Sequence, residues 1–205
     1  MVSIEFLLTS LVVVLIPGTG VLYTVATGLF VGKRASLFAA AGCTLGIIPA
    51  LLASALGLAA LFHTSALAFQ LVKYAGAAYL LYLAWQMWRS SSPLLVEQNQ
   101  AEKGLSGVVL KGFLLNILNP KLSVFFLAFL PQFIPAETDS ALLSMLLLGS
   151  IFMLMTFAVF LIYGFLSGSF STLITRSQRA TVFIQKAFAG SFAGLGLKLA
   201  LTERS

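Results

Sequence analysis

Apolar residues run along this chain in blocks about as long as a bilayer is thick, separated by short polar stretches. A spanning helix needs roughly 20 apolar residues to cross about 30 Å of hydrocarbon. By that measure the 205 residues hold six blocks, at 4–30, 36–62, 67–88, 112–134, 141–166 and 182–201. The pattern predicts an all-α integral membrane protein of about six transmembrane helices. The longest polar connection, 90–107, holds Ser90-Ser91-Ser92-Pro93 and Glu97-Gln98-Asn99-Gln100. It reads as a cytosolic linker between two three-helix halves, 1–89 and 108–205, of a single membrane domain spanning 1–205.

Two of the blocks are interrupted near their middles. Pro17-Gly18-Thr19-Gly20 breaks the first, and Asn119-Pro120-Lys121 breaks the fourth. Lipid offers a backbone amide no hydrogen-bond partner, so a helix broken at that depth must be shielded by protein or face a watery cavity. Corresponding breaks in two halves point to a solute site at the bilayer midplane and to inverted repeats, since three spans per half insert the second copy upside down. A weak internal match agrees: Tyr74-Ala75-Gly76-Ala77-Ala78-Tyr79-Leu80 against Phe188-Ala189-Gly190-Ser191-Phe192-Ala193-Gly194. Small-residue spacing of this kind also occurs in any packed membrane helix.

Composition and charge add an orientation. At 60% hydrophobic and 9% charged, the chain is too apolar for a soluble domain. The N-terminus has Glu5 as its only early charge and lacks the basic segment of a removable signal peptide. Lys33 and Arg34 fall in the first connection, Arg89, Lys103 and Lys111 in or beside the third, and Arg176, Arg179 and Lys186 in or beside the fifth. The second, around His63, has no charge, and the fourth has only Glu137 and Asp139. Cytoplasmic loops collect Lys and Arg, so the odd connections are expected inside and both termini outside. Lys198 and Arg204 run against that orientation, and a five-span chain would move one terminus across. Trp85 and Trp88 beside Arg89 read as an interfacial anchor. The net charge of +6 is this inside-loop bias and implies no nucleic acid.

The candidate chemistry lies at the breaks. Pro17 has no N–H and frees the carbonyl of Val13; Pro120 likewise frees that of Asn116. Gly18 and Gly20 permit non-helical backbone and close approach of a ligand. The half-helix restarting after the break presents free N–H groups and a positive dipole end, suited to a carboxylate, while the freed carbonyls suit an ammonium. Such a two-poled site fits a zwitterionic amino acid, against the plainer alternative of a packing kink. The fourth span must include 112–119 to reach across the bilayer, which puts Asn116, Asn119 and Lys121 near the midplane. Polar residues there usually face a pathway, although a lysine can also snorkel to the interface. Pro49, after Gly42 and Gly46, is a third break that fits a kink or a site equally. Tyr23, one turn past the first break, is a solute donor or a core residue. On this reading Gly18–Gly20 amides and Lys121 hold a carboxylate, and Asn116, Asn119 and the freed carbonyls hold an amine.

The motifs together resemble the lysine exporter (LysE) family, including its homoserine/threonine-resistance (RhtB) branch. The resemblance rests on Pro17-Gly18-Thr19-Gly20-Val21-Leu22-Tyr23, Gly32-Lys33-Arg34-Ala35 and Gly42-Cys43-Thr44-Leu45-Gly46. It continues through residues 73–85, through Gly112-Phe113-Leu114-Leu115-Asn116-Ile117-Leu118-Asn119-Pro120-Lys121, and through residues 126–133. It implies a bacterial inner-membrane secondary transporter that exports amino acids or close derivatives, driven by the proton motive force. Many members carry Pro-Gly-Pro-Asn at the first break, where Thr19 and Gly20 stand here. Many also carry an Asp and a His after the second-span glycine, where Ile47 and Ala50 stand here. No carboxylate is then left in the membrane interior to couple protons or to hold a dibasic solute. A neutral, apolar amino acid is the expected cargo, and the coupling residue is unassigned.

Other classes fit less well. A thiol redox carrier needs a cysteine pair, and Cys43 is alone. An exporter of metal ions needs intramembrane Asp, Cys or His ligands. A membrane enzyme needs a nucleophile with its base, or paired carboxylates, and no such set is present. No cofactor is expected. A non-transporting assembly protein would leave the midplane polar cluster unexplained. Beyond solute and lipid bilayer, the expected partner is a second copy, packed through the small residues Gly190, Ala193 and Gly194.

Overall fold

The computed structural model describes residues 2–16, 18–62, 66–89, 104–117, 119–134 and 140–167, and, toward the C-terminus, 186, 189–190, 193–194, 196–197 and 200–201. Among the described residues every regular element is helical. The order is α1 (Ile4–Leu15), α2 (Thr19–Phe30), α3 (Lys33–Leu45), α4 (Ile48–Phe62), α5 (Ala66–Arg89), α6 (Leu105–Ile117) and α7 (Pro120–Val124). A π-helical turn, Phe125–Phe129, and a 3-10 turn, Leu130–Phe133, follow α7, and then α8, Ala141–Phe165.

The broken helices are present. α1 and α2 meet at 54°, and α6 meets the segment Lys121–Phe133 at 57°. Each half-helix of 12 or 13 residues is about 18–20 Å long at 1.5 Å per residue, so each break falls near the middle of its span. Two unbent helices are long and apolar enough to cross a membrane among the described residues, Lys33–Gly57 and Ala141–Phe165. The bent pairs bring the number to four, and α5, at 24 residues, has the length of another. The sixth expected span, 182–201, lies largely outside the described residues, as do His63, most of the linker, Glu137, Asp139, Arg176 and Arg179.

Two boundaries differ from the hydropathy reading. α3 starts at Lys33, so Lys33 and Arg34 form its first turn rather than a loop. Gly32 supplies the positive φ of 115° that lets the chain reverse between α2 and α3. α6 starts at Leu105, which brings Lys111 inside the helix with its ammonium 5.6 Å from the centre of the Tyr23 ring. Hydropathy places charged residues outside a span, yet a helix continues through them wherever its backbone bonds are satisfied.

Glycines set the closest packing. A Cβ on Gly42 would lie 2.2 Å from the Val109 carbonyl, and one on Gly46 2.5 Å from that of Phe113. A Cβ on Gly112 would meet the backbone of Ala39 and Cys43 at 3.0 Å. Here α3 and α6 touch backbone to backbone, the small-xxx-small geometry of packed membrane helices. α8 closes the other side: Phe152 stacks on Phe125 at 4.4 Å and meets Phe126 edge-on at 5.4 Å. Its Gly164 faces Ser36 on α3, where a Cβ would lie 2.5 Å from the serine hydroxyl. On α5, the Arg89 guanidinium sits 4.6 Å over the exposed Trp85 ring, an arrangement suited to the membrane surface.

Candidate functional site

The carboxyl end of α1 leaves carbonyls with no helical partner, as any helix end does. Inside a membrane they need other donors. The Ile16 amide reaches back to the Val12 carbonyl at 3.1 Å. Lys121 Nζ donates to the carbonyls of Val13, at 3.2 Å, and Ile16, at 3.1 Å. The Tyr163 hydroxyl, from α8, donates to the Leu15 carbonyl at 3.0 Å. The end of α1 is thus closed by side chains more than a hundred residues away.

Lys121 Nζ lies beside the start of α2, where a Cβ on Gly18 would sit 3.3 Å from it. Its ammonium also occupies the carbonyl of Val13, which was expected to hold an amine. The reason is electrostatic. A cation near the midplane needs a negative partner, and a helix carboxyl terminus carries about half a negative charge. Charge-assisted hydrogen bonds of this kind are worth about 1.5–3 kcal/mol each.

The second break is closed locally. Asn119 caps α7, its Oδ1 accepting from the Lys121 amide at 3.1 Å. The Asn116 carbonyl, expected to be freed by Pro120, accepts the Asn119 amide at 3.1 Å in a tight turn. The Asn119 side-chain amide donates to Asn116 Oδ1 at 3.3 Å, and Asn116 Nδ2 donates to the Cys43 carbonyl at 2.7 Å. That carbonyl lies where the helix changes step, the Ile47 amide bonding Thr44 instead. The two asparagines therefore tie α6, α7 and α3 together.

What stays open is the start of α2. Gly18 caps it without a side-chain hydrogen bond, and the amides of the first turn have no carbonyl below them. The crevice beside it is lined by Gly18, Gly20 and Val21 of the first break, by Asn116, Asn119 and Lys121 of the second, and by Val13, Val14 and Leu122. α8 supplies the far wall with Phe152, Thr156 and Phe160. The crevice is narrow: its free space of about 280 Å³ includes the open mouth. The two breaks thus share one space. A Cβ on Gly20 would lie 2.9 Å from both Asn116 Oδ1 and the Phe160 ring, so only glycine keeps that approach.

Several expected site residues lie elsewhere. Tyr23 is buried, and its hydroxyl donates to the Val108 carbonyl at 2.9 Å, joining α2 to α6. Gly46 is a packing contact against Phe113. Pro49 sits in the first turn of α4 and does not line the crevice. Thr19 is an exposed residue at the start of α2. Pro17 lies outside the described residues, and the Pro120 backbone opens α7. The sequence reading missed the α8 wall and Tyr163. A tyrosine inside an apolar helix was a usable signal, since a buried phenol needs a partner. The phenylalanines gave none, because 18 of them are spread along the chain.

Comparison with known proteins places the chain. The model of the LysE type translocator family matches residues 11–203. An uncharacterized membrane protein of Vibrio cholerae is 35% identical over 98% of each chain. A homoserine/homoserine lactone efflux protein of Salmonella typhimurium is 31% identical over 95% of this chain and 94% of its own. A leucine efflux protein of Enterobacter sp. is 28% identical over 92% and 90%. No solved structure matches. The chain belongs to the LysE type translocator family, and is a multi-pass membrane transport protein rather than an enzyme.

Proposed function

We propose that this LysE-type translocator exports neutral amino acids or close derivatives from the cytoplasm across the bacterial inner membrane. The observation that carries the reading is the ammonium already seated on the Val13 and Ile16 carbonyls, beside the uncapped start of α2. The same crevice that accepts a primary ammonium offers amides for a carboxylate. Valines, Leu122 and the phenylalanines of α8 favour an uncharged, apolar side chain. By sequence the acidic residues Glu97, Glu102, Glu137, Asp139 and Glu203 fall in the polar connections or the tail, and Glu5 is in the first turn of α1. Among the described residues no carboxylate lines the crevice to hold a dibasic solute. Two relatives are named for efflux of homoserine and its lactone and of leucine, whose side chains are uncharged.

The two bends of 54° and 57° support an inverted-repeat plan, with the site where the repeats meet. Odd connections inside, both termini outside and a dimer through Gly190 and Gly194 complete the reading; cross-linking in native membranes tests the dimer. The transport test is efflux from cells preloaded with a panel of dipeptides, with and without the protein. Leucine-sized neutral amino acids are expected to leave faster and lysine not to. Unchanged efflux of every amino acid sinks the proposal.

A further inference from the structure

The carbonyls of Val13 and Ile16 form a seat for one cation, and Lys121 is in it. A second ammonium cannot share two oxygens 3.1 and 3.2 Å from the first nitrogen. The solute's own ammonium, which the proposed function brings to this pole, must therefore displace the lysine. With the solute's carboxylate held by the amides of α2, a displaced lysine would leave two ammonium groups and one carboxylate in the apolar crevice beside Gly18 and Asn119. That excess positive charge near the midplane is removed if the lysine sheds its proton. We infer that Lys121 is the coupling group of this transporter: proton and solute occupy the Val13–Ile16 seat in turn, which makes transport an exchange of one for the other. The inference rests on the proposed function and adds the residue that couples it to protons.

The exchange balances. On the cytoplasmic side the solute ammonium enters the seat, the N–H bond of Lys121 breaks, and the proton passes to water in the crevice. On the far side the solute leaves, a proton returns to Nζ, and the ammonium resumes its hydrogen bonds to both carbonyls. Net charge at the seat stays +1 throughout. Competition for one seat gives antiport, the direction in which an inward proton gradient drives a solute out. A solute that needed Lys121 protonated would travel with the proton and would be drawn inward.

Among the described side chains, no other charged group lines the crevice, and Glu5 stands in the first turn of α1, at the opposite end from Val13 and Ile16. α1 presents backbone carbonyls, and α2 and α6 present Gly18, Gly20, Val21 and Asn116. From α8 come Phe152, Thr156, Phe160 and the titratable Tyr163, whose hydroxyl is held on the Leu15 carbonyl. On α5, which packs against α7, the side chain of Lys73 lies outside the described ones; of the others, Arg89 lies over Trp85, Tyr79 and Tyr82 face each other, and Tyr74 is exposed. α4 carries no titratable residue over Ile48–Phe62. Lys111 is drawn toward the Tyr23 ring.

The test uses purified full-length protein in liposomes loaded with labelled leucine. Wild type should respond to an imposed inward proton gradient with faster efflux. In Lys121→Ala the ratio of efflux with and without the gradient should fall to about one, while exchange of leucine for leucine goes on at whatever rate the variant sustains. Lys121→Arg, which cannot give up its proton, should lose both modes. A measurement on wild type alone covers the case of variants that do not fold. In weakly buffered detergent, adding leucine should release about one proton per solute bound, and apparent affinity should tighten by up to about tenfold per pH unit while Lys121 is protonated. Gradient-driven efflux surviving in Lys121→Ala, or leucine binding with no proton release, overturns the inference and leaves the proposed function standing. A wild type that neither binds nor moves any amino acid overturns the function itself.

Discussion

The two breaks are alike in angle and opposite in how they are closed. At the second, Asn116 and Asn119 satisfy the freed backbone within four residues, as a soluble helix cap would. At the first, glycines supply no donors, so the end of α1 borrows them from Lys121 and Tyr163 across the fold. A self-capped break is a fixed part of the scaffold. A break capped from a distance changes whenever its donors move, and one of those donors is a cation that another ammonium can replace. The amino end of α2 stays open for the same reason: Gly18 has no side chain to cap it.

The largest expected effect comes from filling the space the breaks share. Gly20→Leu would push a side chain into Asn116 and Phe160, and overpacking of that kind costs about 1–3 kcal/mol. Taken from solute binding, the upper end is about a hundredfold. Leucine efflux by the variant should fall by that order; efflux within twofold of wild type would mean that the crevice is not the path.

Closing groups come next. Tyr163→Phe leaves the Leu15 carbonyl without its donor, at a cost of about 1–3 kcal/mol in thermal unfolding measured in detergent. Asn119→Ala removes a cap worth about 1 kcal/mol, and Asn119→Asp should restore most of it. If the second break is as self-contained as its hydrogen bonds suggest, the double variant should lose the sum of the two. If Lys121 carries strain from one break to the other, the cycle will miss additivity by more than about 0.5 kcal/mol. The smallest effect is expected from Tyr23→Phe, which loses one hydrogen bond to Val108 outside the crevice. Stability should drop by about 1 kcal/mol with leucine efflux near wild type; a large loss of efflux would return Tyr23 to the site.

Much of this was written in the order of residues. Block length and the placement of Pro, Gly and Asn determined an all-helical membrane chain with two broken spans, because backbone in lipid must bond within its own helix and proline prevents it locally. The same reasoning located Gly18, Gly20, Asn116, Asn119 and Lys121. Which partner each took was decided only by the fold. Lys121 and Val13 are 108 residues apart, and nothing in either neighbourhood says that an ammonium on one will close the helix end of the other. Phe152 and Phe160 entered for the same reason, since α8 carries apolar residues all round and only its neighbours select which of them face the crevice. Local chemistry determines where a helix must break; only packing decides which distant group repairs it.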